Sequence, residues 1–235
     1  MAQPTPMSYT SAASGGIHGV KIGVVQDSLA PSGSSSKTLA SLEAGLAKLE
    51  AAGGRVTPVH IPLWLDAWPI ENGVLTFGLA AMFASGGQGY GHLGRVDTEL
   101  LAVTAAQNRL QSRDLPLMLE LRRQITQALA DVDVLVTPTT PTGPFRLLEE
   151  PTTDEALLAG MWLDATFNTS PLDLSGHPAL TVPCGTCEED MPVGMQIIGR
   201  HFDEMMVYRV DPQDGHPSGP GLGATSPGPP ASASK

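Results

Sequence analysis

The sequence predicts an α/β fold, on three observations. A short apolar run, Val20 to Val25 (VKIGVV), stands between Gly19 and Asp27-Ser28, as a buried strand does. Leucines then recur at 39, 42, 46 and 49, intervals of three and four that place all of them on one helical face. A second strand-like run, Arg55 to Ile61 (RVTPVHI), follows with Val56, Val59 and Ile61 as its apolar residues. Strand, helix, strand is a βαβ unit, and it implies parallel pairing.

The connection Ser32-Gly-Ser-Ser-Ser36-Lys37 sets hydroxyls beside an amine, the parts of a serine/lysine hydrolase. Serine and glycine are also what a strand-to-helix loop and its N-cap require, and that reading is favoured. Gly53-Gly54 ends the helix, because glycine tolerates the left-handed cap position. Pro58 lacks the N–H of a central strand, so the second strand is expected at an edge or irregular. Trp64 to Ala84, rich in Ala, Leu and Met after Pro69, is expected to be helical. Leu117, Leu121, Ile125 and Leu129 fall four apart and predict a helix from Leu117 to Ala130, with Arg122, Arg123 and Gln127 on its wet side. Val132 to Thr137 (VDVLVT), stopped by Pro138 and Pro141, has the character of a buried strand. Ala179 to Val182 and Val193 to Ile198 are two more strands, joined by CGTCEEDMP, and Asp203 is placed to cap a final helix.

The 235 residues carry 24 acidic against 13 basic side chains, a formal charge of -11, which disfavours phosphate backbones and anionic lipid; no nucleic-acid and no membrane partner is expected. The N-terminus, MAQPTPMSYTSAASGG, lacks the basic and apolar regions of a secretory signal, and no apolar run approaches the ~20 residues of a bilayer span. With two cysteines only, a reducing compartment is expected, and the chain is assigned to the cytoplasm. From Asp211 onward Pro or Gly recurs every few residues with little apolar surface to bury, so residues 211–235 are expected to be disordered. Residues 1–16 read the same way, leaving 17–210 as the foldable domain.

Each candidate motif has a plainer reading. Gly89-x-Gly91-x-x-Gly94 matches a dinucleotide fingerprint, but a helical stretch precedes it where a strand is required, so a glycine loop is favoured. Cys184-Gly-Thr-Cys187 matches C-x-x-C; Glu188, Glu189 and Asp190 follow it, and their charge disfavours a thiolate. A zinc site would need further ligands, for which His177 and His201 are the nearby candidates. No G-x-S-x-G elbow and no H-E-x-x-H pair occurs. The run Asn168 to Gly185 (NTSPLDLSGHPALTVPCG) brings Asp173, Ser175, His177 and Cys184 close in sequence, without spacing that would make them a catalytic unit.

Three phrases in order, ADVDVLVTPTTP (Ala130 to Pro141), FNTSPLDLSGHPALTVPCG (Phe167 to Gly185) and MPVGMQIIGRHFDE (Met191 to Glu204), closely resemble the C-terminal half of amidase signature enzymes. The early GIHGVKIGVV (Gly16 to Val25) resembles the phrase that follows the catalytic core in that family. The resemblance implies a mixed β-sheet flanked by helices, and a hydrolase splitting carboxylic amides into acid and ammonia or amine without metal or other cofactor. In the family the work is done by a Ser-Ser-Lys triad, with both serines in a GGSSGGS-like segment that also supplies the oxyanion hole. That segment belongs before the position of Gly16, so this chain is expected to begin after it, to hold no catalytic residue of its own, and to be inactive alone. Ser14-Gly15-Gly16 and Ser85-Gly86-Gly87 imitate the letters without the surrounding pattern, and Lys21, the first lysine, lies in a strand.

The resemblance further places the loop from Asn168 to Pro178 beside the acyl pocket, making Thr169, Pro171, Leu174, Gly176 and His177 the candidate substrate-facing residues; a tight turn is the plainer reading of Gly176-His177-Pro178. Two departures stand out: one short helix lies between Asp114 and VDVLVT where the family has a longer passage, and low-complexity text replaces a helix after Val210, as a frameshift or wrong splice would produce. Two alternatives remain: a non-catalytic partner completing a separate N-terminal amidase half, and a redox or zinc protein using Cys184 and Cys187.

Overall fold

A computed structural model describes residues 9–13, 15–29, 35–71, 73–74, 111–144, 165–187 and 190–210. Its main elements, in chain order, are α1 (Tyr9–Ala13), β1 (Lys21–Val25), α2 (Ser36–Ala51), β2 (Arg55–Val59), α3 (Gln111–Asp131), β3 (Val134–Pro138), α4 (Ser170–Ser175), β4 (Ala179–Thr186), β5 (Pro192–Ile198) and α5 (Glu204–Arg209). The strands form one sheet in the order β2-β1-β3-β5-β4. β2, β1 and β3 run parallel, and β5 pairs antiparallel with both β3 and β4. The expected mixed sheet flanked by helices is therefore present, with the Pro58 strand at an edge.

Alternation along the strands sorts the core into two layers. Val134 and Val136 of β3 and Met195 and Ile197 of β5 pack with Leu42 and Leu49 of α2. Leu135 and Ile198 face the other way, onto Leu121, Ile125 and Leu129 of α3 and Leu172 and Leu174 of α4. β3 is buried along its whole length, as its unbroken apolar run requires. The helix starts are capped as expected: the Ser35 side chain accepts from Thr38 N, and that of Asp203 accepts from Met206 N.

Several boundaries differ from expectation. α3 begins at Gln111 and runs 21 residues, so the passage before β3 is longer than the short helix predicted; the leucine pattern marks only its buried face. β4 continues beyond Val182 through a bulge at Pro183/Gly185 to Thr186, absorbing the first three residues of the supposed connection, CGT. Within the first sixteen residues, Tyr9–Ala13 is helical and not disordered, because it has apolar surface to bury: Ala12 is buried, and the Tyr9 ring lies 5.1 Å from that of Tyr208 in α5. Arg209 Nε adds a bond to Gly16 O at 2.6 Å. The run expected to be a loop at 168–178 contains α4, whose Pro171 stands in the first turn, where its missing N–H costs nothing. Helical turns occur at 67–71 and 73–74; residues 72 and 75–84 of the Trp64 to Ala84 expectation, the glycine motif at 89–94 and the 211–235 tail lie outside the described residues. No described helix is long and apolar enough to cross a membrane.

Candidate functional site

β1 and β3 are parallel neighbours, and the chain leaves β1 toward β2 on its other side. The crevice outside the carboxyl ends of β1 and β3 is thus a topological switch point, the place where open α/β sheets take ligands. Asn168 is fully buried at this edge. Its Oδ1 accepts from Trp64 Nε1 at 3.0 Å, and its Nδ2 donates to Pro138 O at 2.9 Å and reaches Ser28 O at 3.5 Å. Gln196 Nε2 donates to Asn168 O at 2.9 Å and to Thr137 Oγ1 at 3.1 Å. One side chain and its backbone thereby tie together the ends of β1, β3 and β5. A buried network with every member paired is a rigid platform.

α4 starts on that platform. Ser170 Oγ meets both a Glu71 carboxyl oxygen and Thr166 O, the latter at 2.9 Å. A hydroxyl has one proton to donate, so Ser170 gives it to one of these two acceptors at a time. Burial above all pushes the Glu71 carboxyl above the usual range; the bond from Ser170 opposes this and the neighbouring Asp173 charge adds to it.

The other end of α4 is a second, separate cluster. Gly176 takes the left-handed conformation, φ +71°, and its N–H closes the helix on Leu172 O. The His177 and His201 rings stack with centroids 3.8 Å apart. Their tautomers follow from their partners. Gly176 O can only accept, so His201 carries hydrogen on Nδ1, 3.1 Å away, and its Nε2 accepts from Arg122 Nε at 3.4 Å. Thr126 Oγ1 donates to Arg122 O at 2.8 Å, so it accepts from His177 Nε2 at 3.3 Å, leaving His177 Nδ1 to accept from Ser175 Oγ at 3.0 Å. The His177 ring is held neutral in this arrangement. Burial first, then His201 and Arg122, push the His177 pKa down to about 4.

The five candidate residues are thus divided. Thr169 and Pro171 lie at the Asn168 end, Thr169 half-buried with Oγ1 donating to Thr166 O at 3.1 Å, and Pro171 buried. Leu174 is buried in the apolar layer against α3. Gly176 is exposed, and His177 is buried in the histidine stack. A six-residue helix separates the two ends by ~9 Å. Ser175 and His177 do meet, but both are buried, the imidazole is a weak base at about 4, and Asp173 is exposed and engaged with Glu71 instead of orienting the ring. Cys184 and Cys187 form no disulfide and are buried in the layer on the α2 side of the sheet. Burial pushes the Cys184 thiol up, the reverse of what a redox pair needs. Among the described residues no group of three or more His, Cys, Asp or Glu could hold a metal.

Sequence reasoning passed over Asn168, Glu71, Trp64 and Gln196. Only Gln196 left a signal, a polar side chain inside the apolar strand VGMQII; the other partners are too distant in sequence to be paired by pattern.

The family-wide profile for Amidase matches residues 2–208. A glutamyl-tRNA(Gln) amidotransferase subunit of Acidobacterium capsulatum is 32% identical over 238 aligned positions, taking in 88% of this chain and 48% of that protein. Among solved structures, the corresponding glutamyl-tRNA(Gln) amidotransferase subunit of Thermotoga maritima superimposes with a TM-score of 0.64 at 23% identity, covering 86% of this chain and 43% of that one. A 6-aminohexanoate cyclic dimer hydrolase does so with a TM-score of 0.69 at 20% identity, covering 89% and 47%. At such identities the two structures speak for the fold. The chain spans about half the length of the curated relatives it matches.

Proposed function

The chain belongs to the amidase family, and from that premise we propose that it supplies the substrate-facing wall of a unit that splits carboxylic amides, and that it is inactive until joined by the residues that carry a Ser-Ser-Lys triad. The carrying observation is the family match combined with a sequence that holds no GGSSGGS-like segment. The lysines agree. There are four, and the three among the described residues, Lys21, Lys37 and Lys48, are exposed on β1 and α2, where none can serve as a buried base. The buried serines of the switch-point edge are already committed: Ser28 Oγ donates to Val25 O, and Ser170 is held by Glu71 and Thr166.

The substrate side in this reading is the Asn168 end of α4, with Thr169 and Pro171 nearest the crevice. Leu174, Gly176 and His177 serve by fixing the helix that presents them. The partner is the amidase half bearing the triad; the two amidotransferase relatives are subunits by name, which makes assembly a natural state for such a fold. The purified chain is expected to release no ammonia from a panel of aliphatic and aromatic amides and to resist a serine-directed fluorophosphonate. Mixed with an N-terminal amidase half carrying the triad, it is expected to bind and to restore hydrolysis. Labelling of the chain alone would overturn the inactive reading, and failure of both binding and recovery would overturn the partner reading.

A further inference from the structure

We propose that the groove between α3 and the turn joining β5 to α5 docks an acidic, amphipathic segment of a partner protein, with one of its carboxylates on Arg122 and its apolar side chains on Phe202 and Leu119. The groove, about 800 Å³ and open along one side, is lined by a stripe of α3 from Leu119 to Ala130 and by His201 and Phe202. It lies at the end of α4 away from the Asn168 platform, so this inference does not depend on any role in amide hydrolysis.

Three features converge on that ligand. The first is an anchored cation. Arg122 Nε is held on Nε2 of the His201 ring, whose Nδ1 is held by Gly176 O, while the two terminal nitrogens of Arg122 have no hydrogen-bond or ion-pair partner among the described residues. A guanidinium held at Nε with its fork unspent is preorganised for a carboxylate. Arg123 beside it is different, since its nitrogens are taken by Glu120 at 2.7 and 2.6 Å and by Gln127 at 2.8 Å. The second is exposed apolar surface next to that cation: Phe202 is 89% exposed and Leu119 57%. The third is backbone strain. Phe202 has φ +63°, a conformation bulky side chains rarely adopt, and it holds the ring out over the groove.

The shape selects the kind of ligand. A small-molecule site encloses most of its ligand, whereas this groove is open and runs ~16 Å along α3, about three turns of a helical segment. The formal charge of -11 opposes nucleic acid. It opposes an acidic segment at long range too, but charges further than about 8 Å are largely screened at physiological salt, and the short-range fork decides.

The test is fluorescence anisotropy with the full chain and a fluorescein-labelled 14-residue helical peptide carrying Leu and Glu at three- and four-residue spacing, beside its Glu→Gln counterpart and a labelled oligouridine. The Leu/Glu peptide is expected to bind, and the Gln form at least about tenfold more weakly. Phe202→Gly is the decisive variant, because it removes the ring where the backbone already favours glycine: binding is expected to weaken about tenfold while the melting temperature holds or rises. Arg122→Lys, which keeps the charge and loses the fork, is expected to weaken binding as well. Absence of peptide binding, equal binding of the Gln form, unchanged binding by Phe202→Gly, preferential binding of oligouridine, or self-association through this face would each overturn the proposal.

Discussion

At the scale of single residues, His177 is the clearest case of a group whose ionisation is opposed by the fold. Its pKa is pushed down to about 4, whereas an unfolded chain restores a value near 6.5. Between those values the unfolded state binds the proton and the folded state does not, so the contribution is complete above pH 6.5 and is lost as pH falls toward 4. His177→Gln can retain an amide between Ser175 and Thr126 without a titrating ring. The urea midpoint of the native chain is expected to fall between pH 6.5 and 4, and His177→Gln to flatten that fall; parallel pH profiles for the two proteins would refute the assignment. The sequence singles out His177 by its place in a family phrase, but His201 lies 24 positions on and Arg122 in another helix, so the cluster that sets its behaviour exists only once the chain is folded.

At the scale of elements, legibility follows the balance between local pattern and distant contact. α2, β1 and β3 are plain in the sequence because one face, or both, is apolar along its whole length. α4 is not, since Pro171, Asp173, Ser175 and Gly176 are residues of turns and caps. What makes the segment helical is tertiary: Leu172 and Leu174 are buried against α3, Asn168 is locked at one end, and the histidine stack holds the other. Its termination is nevertheless local. Gly176 at φ +71° has Arg122 Nη2 as the nearest atom to an added Cβ, at 3.6 Å, so alanine would fit in space and suffer only in conformation. Gly176→Ala is expected to cost ~1–2 kcal/mol in urea unfolding. A neutral result would mean that the turn relaxes out of the left-handed region, and the tautomer chain through Gly176 O should then be lost from the histidine resonances.

At the scale of the whole molecule, the sheet is the structure shared by the two apolar layers among the described residues, and that sharing was legible only in part. Burial on both faces of β3 and β5 could be read from the runs VLV and MQII, but which helix would cover which face could not, because facing is decided by the handedness and order of crossovers. The order β2-β1-β3-β5-β4 puts β3, buried throughout, at the centre, where its residues hand contacts to both layers. Neither layer can lose its packing without exposing the back of a strand that the other needs, so the described domain should unfold as one unit. Ile197 belongs to the α2 layer and Ile125 to the α3 layer, on opposite sides of the sheet. Ile197→Val and Ile125→Val are each expected to cost ~0.5–1.5 kcal/mol. The double variant should equal their sum within about 0.5 kcal/mol, since the two sites share no contact. Near-ultraviolet circular dichroism and tryptophan fluorescence should report the same midpoint in every variant. Two separate transitions, one moved by each substitution, would show instead that the layers unfold independently and that β3 does not couple them.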